Sequence, residues 1–228
     1  MKAQNSKLDN PVWYALSETH REFAIDYDHL KFYDPAYCPF GGFAREADMS
    51  YPMEAYATLV DSFFIVGEKP SFPDKLKLER ELTCLQMLVN DKIDTGMEEQ
   101  VIELNGKYPD DLYQLVNLVQ PGYFKRKTAL LGNYYGIFKN NMLVAVTGEQ
   151  MKMNGYVEVS AVITHPGHTG KGYAKQLLAH AVNNILNENK TPYLHVVENN
   201  TGAIKLYEKL GFLTRRKISF WNVIKKQV

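Results

Sequence analysis

The residues best suited to chemistry lie in one short stretch, Thr169-Gly170-Lys171-Gly172-Tyr173-Ala174, between an alternating strand pattern and a long helical one. Glycines there let main chain approach a ligand closely, and the first N–H groups of the following helix have no internal partner and point outward with the positive end of the dipole. Such a turn suits a phosphate group. An ordinary glycine-rich strand-to-helix turn has the same residues. The P-loop is excluded by spacing, since His165 and Gly172 occupy the positions where it needs Gly and Ser or Thr. The dinucleotide fingerprint is excluded because Gly170-x-Gly172 is followed by Ala174 and Lys175. His165 and His168 have no carboxylate or cysteine at metal-ligand spacing, so they read as loop histidines and no metal is expected.

Several elements must position that stretch. Val101 to Leu104 reads as a short strand, and Pro109 to Gln120 as a helix opened by proline and ended by Pro121-Gly122. Tyr134 to Lys139 and Met142 to Gln150 read as strands joined by Asn140-Asn141, residues that tolerate the positive φ of a tight hairpin. In Tyr156 to Thr164, alternation puts Val157, Val159, Ala161 and Ile163 on one face, and Glu158, Ser160, Val162 and Thr164 on the other. Ala174, Leu177, Leu178, Ala181 and Ile185 then recur at helical spacing. A strand from Tyr193 to Val197, a helix from Thr201 to Leu210 stopped by Gly211, and two closing strands from Phe212 complete the pattern. This order requires a mixed sheet with helices on its faces.

Val159 to Leu178, VSAVITHPGHTGKGYAKQLL, resembles the acetyl-CoA motif of the GNAT superfamily of N-acetyltransferases, and Val197 to Phe212, VENNTGAIKLYEKLGF, resembles that family's second motif. The resemblance covers roughly the last 130 residues. It implies a GNAT-like α/β (α+β) fold with a mixed, mostly antiparallel sheet, acetyl-CoA as the acyl donor, and direct attack by an amine in a ternary complex. It assigns cofactor contacts to Val162, Ile163 and Thr164 on the strand, to Thr169, Gly170, Lys171, Gly172, Tyr173 and Ala174 in the loop, and to Asn199 beyond the next strand. Thr169 departs from the Arg or Gln usual at its position, which weakens a side-chain contact and leaves backbone contacts intact. Asn199 could equally be a turn or helix-capping residue, and Lys171 could lie beside a phosphate or be solvated.

Acetyl transfer needs a base, because an alkyl ammonium with a pKa of about 10.4 is neutral in only about one molecule in a few thousand at pH 7. Glu158 is the candidate base: its offset from the loop is similar to that of the catalytic glutamate in histone-type members, and its alternative is a solvent-facing strand glutamate. Tyr207 is the candidate acid, matching a family tyrosine near the CoA sulfur. It could instead simply pack in the core with Ala203, Ile204 and Leu210.

The pattern changes between Asp91 and Gln100, which divides the chain into residues 1–96, an N-terminal α/β lobe without a readable motif, and residues 97–228, the acetyltransferase domain. The lobe is expected to help shape the acceptor cleft and could be a worn copy of the same fold. Lys plus Arg equals Asp plus Glu at 26 each, so no global field favours nucleic acid. Two distant cysteines, Cys38 and Cys84, no apolar signal core and no spanning stretch make the cytoplasm the expected location, away from membranes. The expected partner is a small-molecule or peptide amine. A CoA-binding regulatory or sensor module without activity is the alternative, and transfer of a longer acyl group is a further option. Neither the acceptor nor the oligomeric state is legible.

Overall fold

A computed structural model describes residues 6–44, 48–96 and 98–226. Met97, where the sequence places the domain boundary, lies outside them, as do the chain's first five and last two residues.

The elements run α1 (Pro11–Ser17), β1 (Ala24–Tyr27), β2 (Leu30–Tyr33), β3 (Phe40–Phe43), α2 (Ser50–Ala57), β4 (Ser62–Gly67), β5 (Leu76–Leu88), β6 (Ile102–Glu103), α3 (Pro109–Val119), β7 (Tyr134–Lys139), β8 (Met142–Met153), β9 (Tyr156–Thr164), α4 (Tyr173–Asn187), β10 (Thr191–Val197), α5 (Thr201–Lys209) and β11 (Leu213–Lys225). All eleven strands form one sheet in the order β1-β2-β3-β4-β11-β5-β10-β9-β8-β7-β6. Its pairs are antiparallel except β3–β4 and β9–β10, so the fold is the expected mixed, mostly antiparallel α+β sheet with helices packed on it.

Apart from the two-residue edge strand β6, that order reads alike from both ends. On each side three antiparallel strands lead through a helix into a strand parallel to the third: β1-β2-β3, α2, β4 on one side and β7-β8-β9, α4, β10 on the other. Each half then places its last strand beside the other half's parallel strand, so β5 lies against β10 and β11 against β4. The two exchanged strands pair with each other from Leu76↔Lys225 to Leu88↔Leu213. This corrects the expectation of two closing strands after Phe212: β11 is a single thirteen-residue strand, and the second position beside β10 is filled by β5 from the N-terminal half.

Local signals hold where a few residues decide them. Asn140 and Asn141 take φ of 50° and 61° in the β7–β8 turn. Gly211 takes φ 87°, and the N–H of Phe212 returns to the Tyr207 carbonyl, closing α5 in a Schellman motif. On α4 the buried face runs through Tyr173, Leu177, Leu178, Ala181, Val182 and Ile185, and it packs with Val157, Val159, Leu194 and Val196 into one core.

The strict alternation expected along β9 fails at Ala161, whose φ is 50°. There the register against β8 shifts between Val146↔Ile163 and Gly148↔Ser160. A bulge adds one residue and so reverses the phase of side chains beyond it. Val157 and Val159 therefore join the α4 core with Val162, while Ala161 and Ile163 join the core under α3. Val162 and Thr164 do not share the face of Glu158.

Candidate functional site

Strands β9 and β10 pair only from Tyr156↔Thr191 to Glu158↔Tyr193 and then part. A parallel pair that separates leaves one edge of each strand without a ladder partner. The N–H of His165 bonds the Val144 carbonyl on β8, and alternate residues of a strand direct their N–H groups to opposite edges. Val162 and Thr164 therefore present N–H groups to the gap, while Ile163 is buried in the α3 core and faces β8.

Beyond the gap stands the N-terminus of α4. Gly170 and Gly172 take φ of 76° and 78°, the left-handed region that costs glycine nothing. A Cβ on Gly170 would meet no atom within 4 Å, and one on Gly172 only the Gln176 amide at 4.0 Å. The bend is thus open, not filled by neighbouring side chains. Among the described residues, the N–H groups of Gly170 to Lys175 find no acceptor, and α4 has no side-chain cap. The Thr169 hydroxyl donates to the Pro166 carbonyl at 3.3 Å, within its own loop, and Lys171 is exposed. Tyr173 is buried with the Lys139 ammonium over its ring, and Ala174 is half-buried. These N–H groups fit a diphosphate, and the open Gly170 leaves room for its approach.

Glu158 is not the solvent-facing glutamate of the alternative reading. Its side chain is 5% exposed and its Oε1 lies 2.7 Å from His195 Nδ1. The neighbours of His195 set its tautomer. Arg215, which can only donate, bonds Gln86 Oε1 at 2.9 Å, so Gln86 Nε2 is the amide nitrogen; it donates to the Leu8 carbonyl at 2.7 Å and meets His195 Nε2 at 3.0 Å. His195 Nε2 must then accept, and its Nδ1–H donates to Glu158. The pair is a neutral imidazole on a carboxylate. Glu158 Oε2 is buried and has no hydrogen-bond partner among the described residues, an arrangement that is costly unless something arrives to use it.

Glu158 borders a cavity of about 270 Å³ together with Ser160 and Val162 of β9, His195 to Val197 of β10, and Tyr207 of α5. The N-terminal half supplies Phe40, Phe64, Leu82 and Cys84. Tyr207 packs against Phe212 and is 7% exposed, so core packing and cavity lining are combined in one residue. Burial pushes its hydroxyl up to about 12, which keeps the proton on oxygen at neutral pH. Burial likewise pushes the Cys84 thiol up to about 12, which removes it as a nucleophile, since only thiolate attacks. Asn199 is exposed, and the cap of α5 is made by its neighbour: Asn200 accepts from the Ala203 N–H at 3.2 Å.

Sequence reasoning missed His195, Gln86 and Arg215. His195 stands two residues from Tyr193 on a recognised strand, but its partner Gln86 is 109 positions away. No helix among the described residues is long and apolar enough to cross a membrane.

Residues 134–221 match the family model described as FR47-like protein. None of the curated proteins matches the chain in sequence. Among solved structures, one described as an acetyltransferase of the GNAT family from Novosphingobium aromaticivorans is similar at TM-score 0.87 and 29% identity, over 96% of this chain and 99% of that one. A GCN5-related N-acetyltransferase from Kribbella flavida is similar in fold at TM-score 0.63 and 13% identity, over 95% of both chains. A tandem GNAT protein from the clavulanic acid biosynthesis pathway is similar in fold at TM-score 0.57 and 12% identity, over 87% of this chain and 78% of that one. With the open glycine bend and the parted parallel strands, the chain carries an FR47-like, GNAT-related domain in its C-terminal half and has the fold of GNAT acetyltransferases.

Proposed function

We propose that the protein transfers the acetyl group of acetyl-CoA to an amine by direct attack. The observation that carries this reading is Glu158, which borders a cavity beside the parted strands and whose buried Oε2 has no partner among the described residues. Acetyl-CoA supplies the activated acyl thioester. The N–H groups of Gly170 to Ala174 hold its diphosphate, assisted by Lys171, and the open edge of β9 at Val162 and Thr164 holds the pantetheine arm. Asn199 and Thr169 are secondary, because the one is exposed and the other bonds its own loop.

Glu158 Oε2 accepts the proton of the incoming ammonium, and His195 Nδ1–H on Oε1 keeps the carboxylate oriented. The Val162 N–H donates to the acyl oxygen as it gains negative charge. Carbon–nitrogen bond formation is matched by carbon–sulfur cleavage; Tyr207 gives its hydroxyl proton to the departing sulfur and is reprotonated by the second proton that the nitrogen sheds as the amide forms. The two buried free cysteines fit a reducing compartment such as the cytoplasm. The palindromic strand order supports reading the N-terminal half as a degenerate copy of the same fold, one that lends walls to the acceptor end of the site.

The test is thiol release from acetyl-CoA with a panel of amines, for wild type, Glu158→Gln and Tyr207→Phe. Amine-dependent release that both substitutions depress supports transfer. Calorimetric binding of acetyl-CoA with no amine-dependent release would favour a CoA-binding module instead.

A further inference from the structure

Aromatic and aliphatic side chains form one wall of the cavity. Phe40 and Phe64 meet edge to face at 5.9 Å, Phe220 meets Phe40 at 5.8 Å and His195 at 5.3 Å, and Leu82 and Phe124 border the same space. Several of the polar side chains that border it already have partners. Ser160 donates to Gln150 at 3.1 Å, Thr128 donates to the Tyr37 carbonyl, and Asn200 caps α5. With His195 neutral, Glu158 is, among the described residues, the one charged side chain that borders the cavity. Arg80 is held at an exposed site by the Tyr123 hydroxyl, 3.0 Å away.

We infer that the acceptor is a compact amine with an aromatic or apolar body and no carboxylate or phosphate of its own. This rests on the acetyl-transfer reading and narrows it. One buried carboxylate oxygen inside an aromatic sleeve can pair with one ammonium. A second positive charge would have no partner, and a negative charge would be desolvated with no cation to meet it. A cavity of about 270 Å³, below the usual range of roughly 300–1,000 Å³ for ligand pockets, suits a small molecule better than a peptide segment.

The experiment uses the full chain with saturating acetyl-CoA and a matched set of amines: 2-phenylethylamine, phenylalaninamide, phenylalanine, spermidine and the dipeptide phenylalanyl-glycinamide. Products are identified by mass and rates read by thiol release. We expect kcat/KM for 2-phenylethylamine to exceed that for phenylalanine by about a hundredfold, the usual scale for a buried charge left unpaired. Phenylalaninamide, which lacks the carboxylate, should recover most of the difference. Leu82→Arg, which puts a cation at the half-buried rim, should raise phenylalanine turnover about tenfold, the scale of one charge-assisted hydrogen bond; circular dichroism reports whether it folds. Phenylalanine or spermidine acetylated as fast as 2-phenylethylamine overturns the substrate class and leaves acetyl transfer standing. The dipeptide acetylated tenfold faster than 2-phenylethylamine replaces the small amine with a peptide N-terminus. Bound acetyl-CoA with no thiol release from any amine overturns the transfer reading and this one with it.

Discussion

Replacing Gly170 by alanine separates two consequences of the same glycine. Its φ of 76° means that any L residue there carries the left-handed penalty, roughly 1–2 kcal/mol. The new Cβ meets nothing within 4 Å, so no clash adds to that penalty in the free protein. For a chain of this length a loss of 1 kcal/mol lowers Tm by about 2–4 °C, so thermal unfolding should shift by about 2–8 °C. Gly155→Ala is the matched control. Gly155 has φ 88° and equally open surroundings, but it sits in the β8–β9 turn, at the far end of a nine-residue strand and about 30 Å from the cofactor bend. Both variants should lose similar stability. Only Gly170→Ala should lose affinity for acetyl-CoA, because its Cβ enters the space a diphosphate needs beside the free N–H groups. Losing one hydrogen bond to a charged group costs about 1.5–3 kcal/mol, so Kd measured by titration calorimetry should rise about tenfold to a hundredfold. Equal affinity in the two variants would refute the assignment of that bend to the diphosphate.

Glu158→Gln should lower kcat by about 10² to 10⁴, the range for loss of a general base, while acetyl-CoA affinity measured by calorimetry stays unchanged. Tyr207→Phe should lower kcat by about 10² or less, and the wild-type rate should show no basic limb from this hydroxyl below about pH 11, since burial raises it to about 12. His195→Ala should lower kcat about tenfold and leave acetyl-CoA affinity unchanged, because Glu158 loses the donor that orients it; an unchanged kcat would mean that His195 does not position Glu158. His20 is buried with its Nδ1 2.8 Å from the Tyr33 hydroxyl, and burial lowers its pKa from 6.5 to about 4. The unfolded chain therefore binds the extra proton first as pH falls, so stability drops between pH 6.5 and 4 and levels off below, by about 3 kcal/mol in all. Urea unfolding across that window should show the slope in wild type and a reduced one in His20→Gln.

The parts legible in the sequence are those settled within a few residues. The Asn140-Asn141 hairpin, the Gly170 and Gly172 bend, the Gly211 stop and the buried stripe of α4 depend on backbone freedom and a period of 3.6, which neighbouring residues determine by themselves. The bounds of β7 and β9 were readable for the same reason. Ala161 was not: alanine has no local preference for positive φ, and the bulge there is imposed by how β9 registers against β8. The run from Lys75 to Val89 has no clean period in the sequence, because β5 mixes exposed and buried positions without a regular alternation. Its place between β11 and β10 is decided by strands more than a hundred residues further along. Gln86 reaches His195 only through that exchange, and with it come the tautomer of His195, the unpartnered oxygen of Glu158 and the aromatic wall from Phe40, Phe64 and Phe220. Local chemistry thus determined the open bend to which we assign the diphosphate. What faces it, and the lining of the cavity proposed to admit the amine, depended on tertiary packing, because a strand's neighbours follow from the burial of whole faces and not from its own sequence.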